Sequence, residues 1–158
     1  MGPLRSDEIS LILAWRYEEP YDVYDALPAA APQIRFEMSR HGSEFLAVRD
    51  STGLLGFCSF GTDGRVAGGT YDDSVVDVGA GMDPARVGSG LGHRFLQAIV
   101  DHGFGQLNHK ELRATVASWN QRALRVAQTV GFVPESTFQG PGGLSFTVLL
   151  LSRTKPLT

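Results

Sequence analysis

The chain has 158 residues, 42% of them apolar and 20% charged, which suits one packed domain over 1–158 and is too short for two ordinary ones. Fourteen basic against seventeen acidic residues leave a net charge of −3, which argues against a nucleic-acid partner, and the lone Cys58 excludes an internal disulfide or a multi-cysteine zinc site. No apolar run approaches the roughly 20 residues of a membrane helix, and residues 1–5 lack the apolar core of a secretion signal, so a cytoplasmic chain with no membrane partner is expected.

Ser6-Asp7-Glu8 carries an N-cap signal and opens an amphipathic segment with Ile9, Ile12, Leu13 and Trp15, which predicts a first helix. Four aromatics, Trp15, Tyr17, Tyr21 and Tyr24, follow closely, and Pro20 among them predicts the end of one helix and the start of a second short one. Pro28 and Pro32 bracket an alanine-rich loop. Residues 44–50 alternate as a strand, Ser51-Thr52-Gly53 is turn chemistry, and residues 54–60 complete a hairpin. After a glycine-rich loop over 61–69, residues 74–82 predict a third strand. Phe95, Leu96, Ile99 and Val100 recur at helical spacing and place a helix over 92–104. Residues 111–117 predict a strand, 120–130 a helix ended by Gly131, and Phe132-Val133 the start of an extended run. A glycine-proline turn then leads into a last strand over 144–151. The order predicts a mixed α/β fold, a central mixed sheet flanked by helices.

Glycine is in excess, at 19 residues, and the most informative run joins a strand to a helix. Asp83-Pro84 breaks the strand, and Gly88, Gly90 and Gly92 then alternate as the helix begins. Missing side chains there free several N–H groups to converge ahead of the helix dipole, which is anion chemistry and most often phosphate chemistry. The run is no Walker loop, since no Gly-Lys-Ser/Thr follows, and its spacing differs from the dinucleotide G-x-G-x-x-G. A tight turn without a ligand is the plainer alternative.

A second block adds to the glycines. Asn120 opens NQRALRVAQTVGF over 120–132, directly after a predicted strand. Together with VGSGLG over 87–92, it resembles the GNAT superfamily of N-acetyltransferases. Members of that superfamily carry R/Q-x-x-G-x-G/A between the fourth strand and third helix, and N-x-x-A…Y…GF after the fifth strand. WRYEEPYDVY over 15–24 resembles a subgroup with W-x-Y-x-x-P-Y-x-x-Y in its first helices, and DVGAGMDP over 77–84 resembles the same subgroup. The resemblance covers residue 44 to the end; the family's first strand is expected to be missing, since only five residues precede the first helix. It implies acetyl-coenzyme A as cofactor and acetyl transfer to a primary amine by direct attack. Two departures stand out: Val87 replaces the usual Arg or Gln, with Arg86 one place earlier, and Ala127 replaces the tyrosine that protonates the departing thiolate in many relatives. Ala127 also suggests the rival, a coenzyme-A-binding regulator or inactive relative. A phosphate-binding domain unrelated to coenzyme A is a third reading.

The resemblance places the pyrophosphate on the backbone of Val87, Gly88, Ser89, Gly90, Leu91, Gly92 and His93, and the thioester on Gly81 and Met82. A bulge at Gly79 and Gly81 would re-aim the Met82 N–H. Asn120 is expected on the pantetheine arm, as a helix N-cap, or as both. Asp77 is the candidate base: amid Val75, Val76 and Val78, desolvation would raise its pKa toward neutrality, the alternative being a solvent-facing or salt-bridged strand residue. Trp15, Tyr17, Tyr21 and Tyr24 form either an acceptor wall or core packing. Residues 84–130 carry a net charge of +4 and residues 1–30 one of −4, which suits a polyphosphate on one side and an ammonium on the other, the alternative being an ordinary solvated acidic helix. The four histidines lack ligand spacing, so no metal is expected, and Cys58 is read as buried packing. The acceptor is expected to be a small-molecule or peptide amine; dimers are common among such proteins, and a homodimer is one expectation.

Overall fold

A computed structural model describes residues 1–154. In chain order the elements are β1 (Gly2–Pro3), α1 (Ser6–Ala14), a 3-10 turn (Tyr21–Tyr24), α2 (Ala31–Ser39), β2 (Phe45–Asp50) and β3 (Gly53–Phe60). Then come β4 (Val76–Met82), α3 (Gly92–Gly105), β5 (Glu111–Ala117), α4 (Gln121–Val130), β6 (Val133–Gln139) and β7 (Ser145–Ser152). The seven strands form a mixed sheet in the order β1-β2-β3-β4-β5-β7-β6. By contact density the chain comprises two units, Met1–Cys58 with Ala80–Leu91, and Ser59–Gly79 with the chain from Gly92 onward, so β3 and β4 each contribute to both.

In the first unit, Ile9, Ile12 and Met38 form a buried cluster, packed by Leu4, Leu13, Ile34, Phe45, Leu54 and Phe57. Ile9, Ile12 and Leu13 recur at the period that turns one stripe of α1 inward. The helix begins one residue earlier than its Ser6 signal suggests: Arg5 holds the cap position, and the Glu8 carboxylate accepts the Arg5 N–H at 2.8 Å. Glu8 is itself buried and held by the Arg49 guanidinium at 2.6 and 2.7 Å, which keeps its pKa low. The first strand, expected to be missing, is present in reduced form. Gly2 and Pro3 pair antiparallel with Ala47 and Leu46 of β2. Proline fits there because β1 is an edge strand, where a missing donor leaves no gap in the ladder. Helix α2 was not legible beyond the loop expected around Pro32: Pro32 sits in its first turn, and only Ile34 and Met38 face inward while Phe36 is exposed.

In the second unit, β5 runs parallel to the start of β4, with Val76 opposite Leu112 and Asp77 opposite Arg113. It runs antiparallel to β7 from Glu111↔Ser152 to Ala117↔Phe146. Strand β4 starts two residues later than predicted, because the Asp72 carboxylate accepts the Ser74 N–H at 2.8 Å and closes a turn there. Helix α3 buries Phe95, Ile99 and Val100 as its spacing predicts, and α4 ends at Gly131 in the left-handed region. No helix among the described residues is long and apolar enough to cross a membrane.

Candidate active site

The glycine turn leaves β4 through Asp83, whose carbonyl accepts the N–H of Arg86 at 2.9 Å and of Val87 at 3.2 Å. Beyond that turn, Gly88 and Gly90 stand at φ +79° and +80°, and a Cβ on either would meet only open space. Positive φ is the backbone reason for glycine at both positions, since other residues pay strain there. Among the described residues, the N–H groups of Gly88, Ser89, Gly90 and Leu91 donate to no protein acceptor. The chain then enters α3 at Gly92, and the first N–H groups of a helix also lack partners inside it. This stretch therefore carries successive undonated amides beside open space, which fits a diphosphate. Arg86 takes no part in that run of amides, since its guanidinium is held by Asp50 and by Thr52 at 2.9 Å, and the contact lowers the Asp50 pKa.

At the end of β4, the structure gives Gly81 a steric reason. A Cβ there would lie 2.5 Å from the Phe57 ring, which Trp15 stacks against at 6.1 Å. Gly79 is explained in the same way by Ser59 Oγ at 2.6 Å, and neither glycine stands at positive φ. The next residue, Met82, has its carbonyl bonded by the Tyr17 hydroxyl at 2.7 Å. Of the four aromatics, Trp15 and Tyr17 thus pack on the β4 end, while Tyr24 is exposed and meets Tyr17 edge-on at 6.5 Å. Tyr21 lies in the 3-10 turn between them, beside the exposed acids Glu18, Glu19 and Asp22.

Asp77 lies at the opposite end of β4, in the second unit, and its surroundings correct the expectation. It is 1% exposed, but it is not a lone carboxylate among valines. Arg113 donates to Oδ1 at 2.6 Å and to Oδ2 at 2.8 Å, and Arg65 donates to Oδ2 at 2.8 Å. The cause is register: parallel pairing sets Arg113 directly opposite Asp77. Tyr71 lies under both guanidiniums, 4.9 Å from Arg113 and 5.4 Å from Arg65, and Asp73 pairs with Arg65 at 2.6 Å. Arg113, counted in the sequence as charge for a polyphosphate, is spent inside the fold. No spacing rule pointed to this pair; the one signal was an arginine between Leu112 and Ala114 inside a strand.

The Asn120 side chain accepts the Ala123 N–H at 3.1 Å, so it caps α4 as one of its two expected roles requires. On α3, His93 pairs through Nδ1 with Thr129 of α4 at 3.1 Å. Ala127 is buried in α4 and offers no acid. Cys58 is fully buried, and burial pushes its thiol up to about 12, so it is no nucleophile.

With this geometry in place, comparison with known proteins adds three findings. The acetyltransferase (GNAT) domain family matches residues 5–133. N-alpha-acetyltransferase RimI of Mycobacterium tuberculosis is 28% identical over 108 residues, which span 68% of this chain but only 62% of that protein. Among solved structures, a GNAT-family acetyltransferase from Bacillus anthracis has a TM-score of 0.73 at 14% identity, covering 96% of this chain and 92% of that one. A spermidine N-acetyltransferase SpeG chimera from Vibrio cholerae and hSSAT has a TM-score of 0.70 at 17% identity, covering 96% and 94%. N-acetyltransferase PseH of Campylobacter jejuni, solved in complex with acetyl coenzyme A, has a TM-score of 0.66 at 20% identity, covering 96% and 94%. These structural likenesses show the fold.

Proposed function

The chain belongs to the GNAT acetyltransferase family, and from that premise we propose that it moves an acetyl group from acetyl-coenzyme A to a primary amine by direct attack, with no covalent enzyme intermediate. The carrying observation is the run of undonated amides at Gly88, Ser89, Gly90 and Leu91 beside open space. In this reading the backbone of residues 88–93 grips the pyrophosphate, the expected Val87 N–H being turned instead to the Asp83 carbonyl, and α3 adds the positive end of its dipole. The Gly81 and Met82 backbone orients the thioester, and Asn120 contacts the pantetheine arm while capping α4. Bound acetyl-coenzyme A supplies an acyl thioester, whose acetyl carbon passes to the amine nitrogen as the thiol departs.

Asp77 is not the catalytic base in this reading, because guanidinium N–H groups hold both of its oxygens inside the fold. It acts as a fixed charge that orders the start of β4. The acceptor enters beside the aromatic segment, where exposed Glu18, Glu19 and Asp22 favour an ammonium-bearing molecule. We also read that segment as the W-x-Y-x-x-P-Y-x-x-Y stretch of the subgroup it resembles. Ala127 favours a second reading, a coenzyme-A-binding relative without turnover.

Thiol release from acetyl-coenzyme A, measured with a panel that includes a polyamine, an aminoglycoside and peptide N-termini, decides between the two. Transfer to any amine supports the enzyme. Tight cofactor binding with no release for any acceptor supports the regulator.

A further inference from the structure

We propose that Tyr17 is a positioning residue for acetyl transfer, its hydroxyl fixing the last peptide of β4. This rests on the reading that the β4 end holds the thioester. It gives the aromatic segment a task beyond lining an acceptor site.

The hydroxyl of Tyr17 donates to the Met82 carbonyl at 2.7 Å. The N–H of the same peptide, that of Asp83, donates to the Leu55 carbonyl at 2.9 Å. The Met82–Asp83 peptide is therefore clamped from both sides, by strand β3 and by a side chain 65 residues away in sequence. Tyr17 is anchored in turn: its own N–H donates to Asp25 Oδ1 at 2.9 Å, and Tyr24 meets its ring edge-on. Trp15 supports the residue before, since it stacks on the Phe57 ring that fills the space of a Gly81 side chain. Trp15 and Tyr17, two positions apart, thus fix the adjacent Gly81 and Met82.

A phenylalanine at position 17 would supply the same ring packing. What the hydroxyl adds is orientation of one peptide plane, and reacting groups tolerate only about 10–20° of misorientation. Met82 shares its Cα between that peptide and the N–H assigned to the thioester, so freeing one loosens the other. The acceptor segment and the acyl end of the site become one mechanical piece, through a single hydroxyl.

The test is Tyr17→Phe, read in two ways. Amide hydrogen exchange at Asp83 in the cofactor-free protein is expected to speed up about threefold to tenfold, the size of one net hydrogen bond. In the enzyme assay kcat is expected to fall about tenfold while KM for acetyl-coenzyme A and for the amine stays within about twofold. Unchanged exchange at Asp83, an unchanged kcat, or a rise confined to the amine KM would overturn the proposal; the last would make Tyr17 an acceptor contact. A wild-type protein with no turnover defeats the acetyl-transfer reading instead, and the exchange result still decides whether Tyr17 holds the peptide.

Discussion

Both oxygens of Asp77 carry guanidinium N–H bonds, and the Arg113 side chain that supplies two of them is only 6% exposed. Removing one charge of such a pair strands the other in the interior. Asp77→Asn is therefore expected to lower unfolding free energy by about 3 kcal/mol in urea titrations, within the range for breaking buried pairs. A loss below about 1 kcal/mol would show that solvent reaches the pair. Because activity would fall with stability, turnover of this variant has to be compared at matched folded fraction; a pH–rate profile unchanged in shape then supports the fixed-charge role. Cys58 offers a simpler check: with its thiol pushed up to about 12, native protein at pH 8 should resist alkylation, and prompt reaction would contradict its burial. The sequence made Asp77 visible as a strand carboxylate among valines. Its partners were hidden, because which residue lies opposite in a parallel pair depends on register, and register leaves no trace in local spacing.

Helices α3 and α4 were legible to within a residue or so, since their apolar period, the Asn120 cap and the Gly131 stop all act locally. Helix α2 was not, because a stripe of only Ile34 and Met38 is weaker than the loop signal of two prolines and a run of alanines. The two-residue β1 escaped because its pairing is wholly non-local. At the loop, Gly90→Val places a branched side chain at φ +80° and in the open space assigned to the diphosphate. Calorimetry should show affinity for acetyl-coenzyme A falling at least about tenfold, as backbone strain alone costs about 1–2 kcal/mol. Wild-type affinity in that variant would remove the loop from the site. Asn120→Ala should cost about 1 kcal/mol through loss of the cap, read by thermal or urea unfolding. No change in stability would mean that the Asn120–Ala123 bond contributes nothing.

For the molecule as a whole, charge and pH matter most. The +4 stretch and the −4 stretch are partly neutralised by residues outside them: Arg86 pairs with Asp50, Arg113 with Asp77, and Glu8 with Arg49. Steering of charged ligands falls to the residues left outside these pairs. His102 and His109 both meet the Phe60 ring, and burial lowers their pKa values below the ordinary 6.5. As pH falls below 6.5 the unfolded chain protonates these rings first, so folding stability declines through the interval down to their folded pKa values. The urea midpoint should drop between pH 7.5 and 5.5, and replacing both histidines by glutamine should flatten that slope; an equal slope in the variant would place the titration elsewhere. Glu8, with its lowered pKa, adds a separate loss as pH falls below about 4.5.

Backbone amide shifts of nitrogen-15-labelled protein, followed as coenzyme A is added, test the central claim most directly. The N–H signals of Gly88, Ser89, Gly90, Leu91, Gly92 and His93 should move furthest and saturate together, with ATP at equal concentration moving them less. Shifts centred on other segments, or none in this loop at saturation, would contradict a diphosphate held by that main chain.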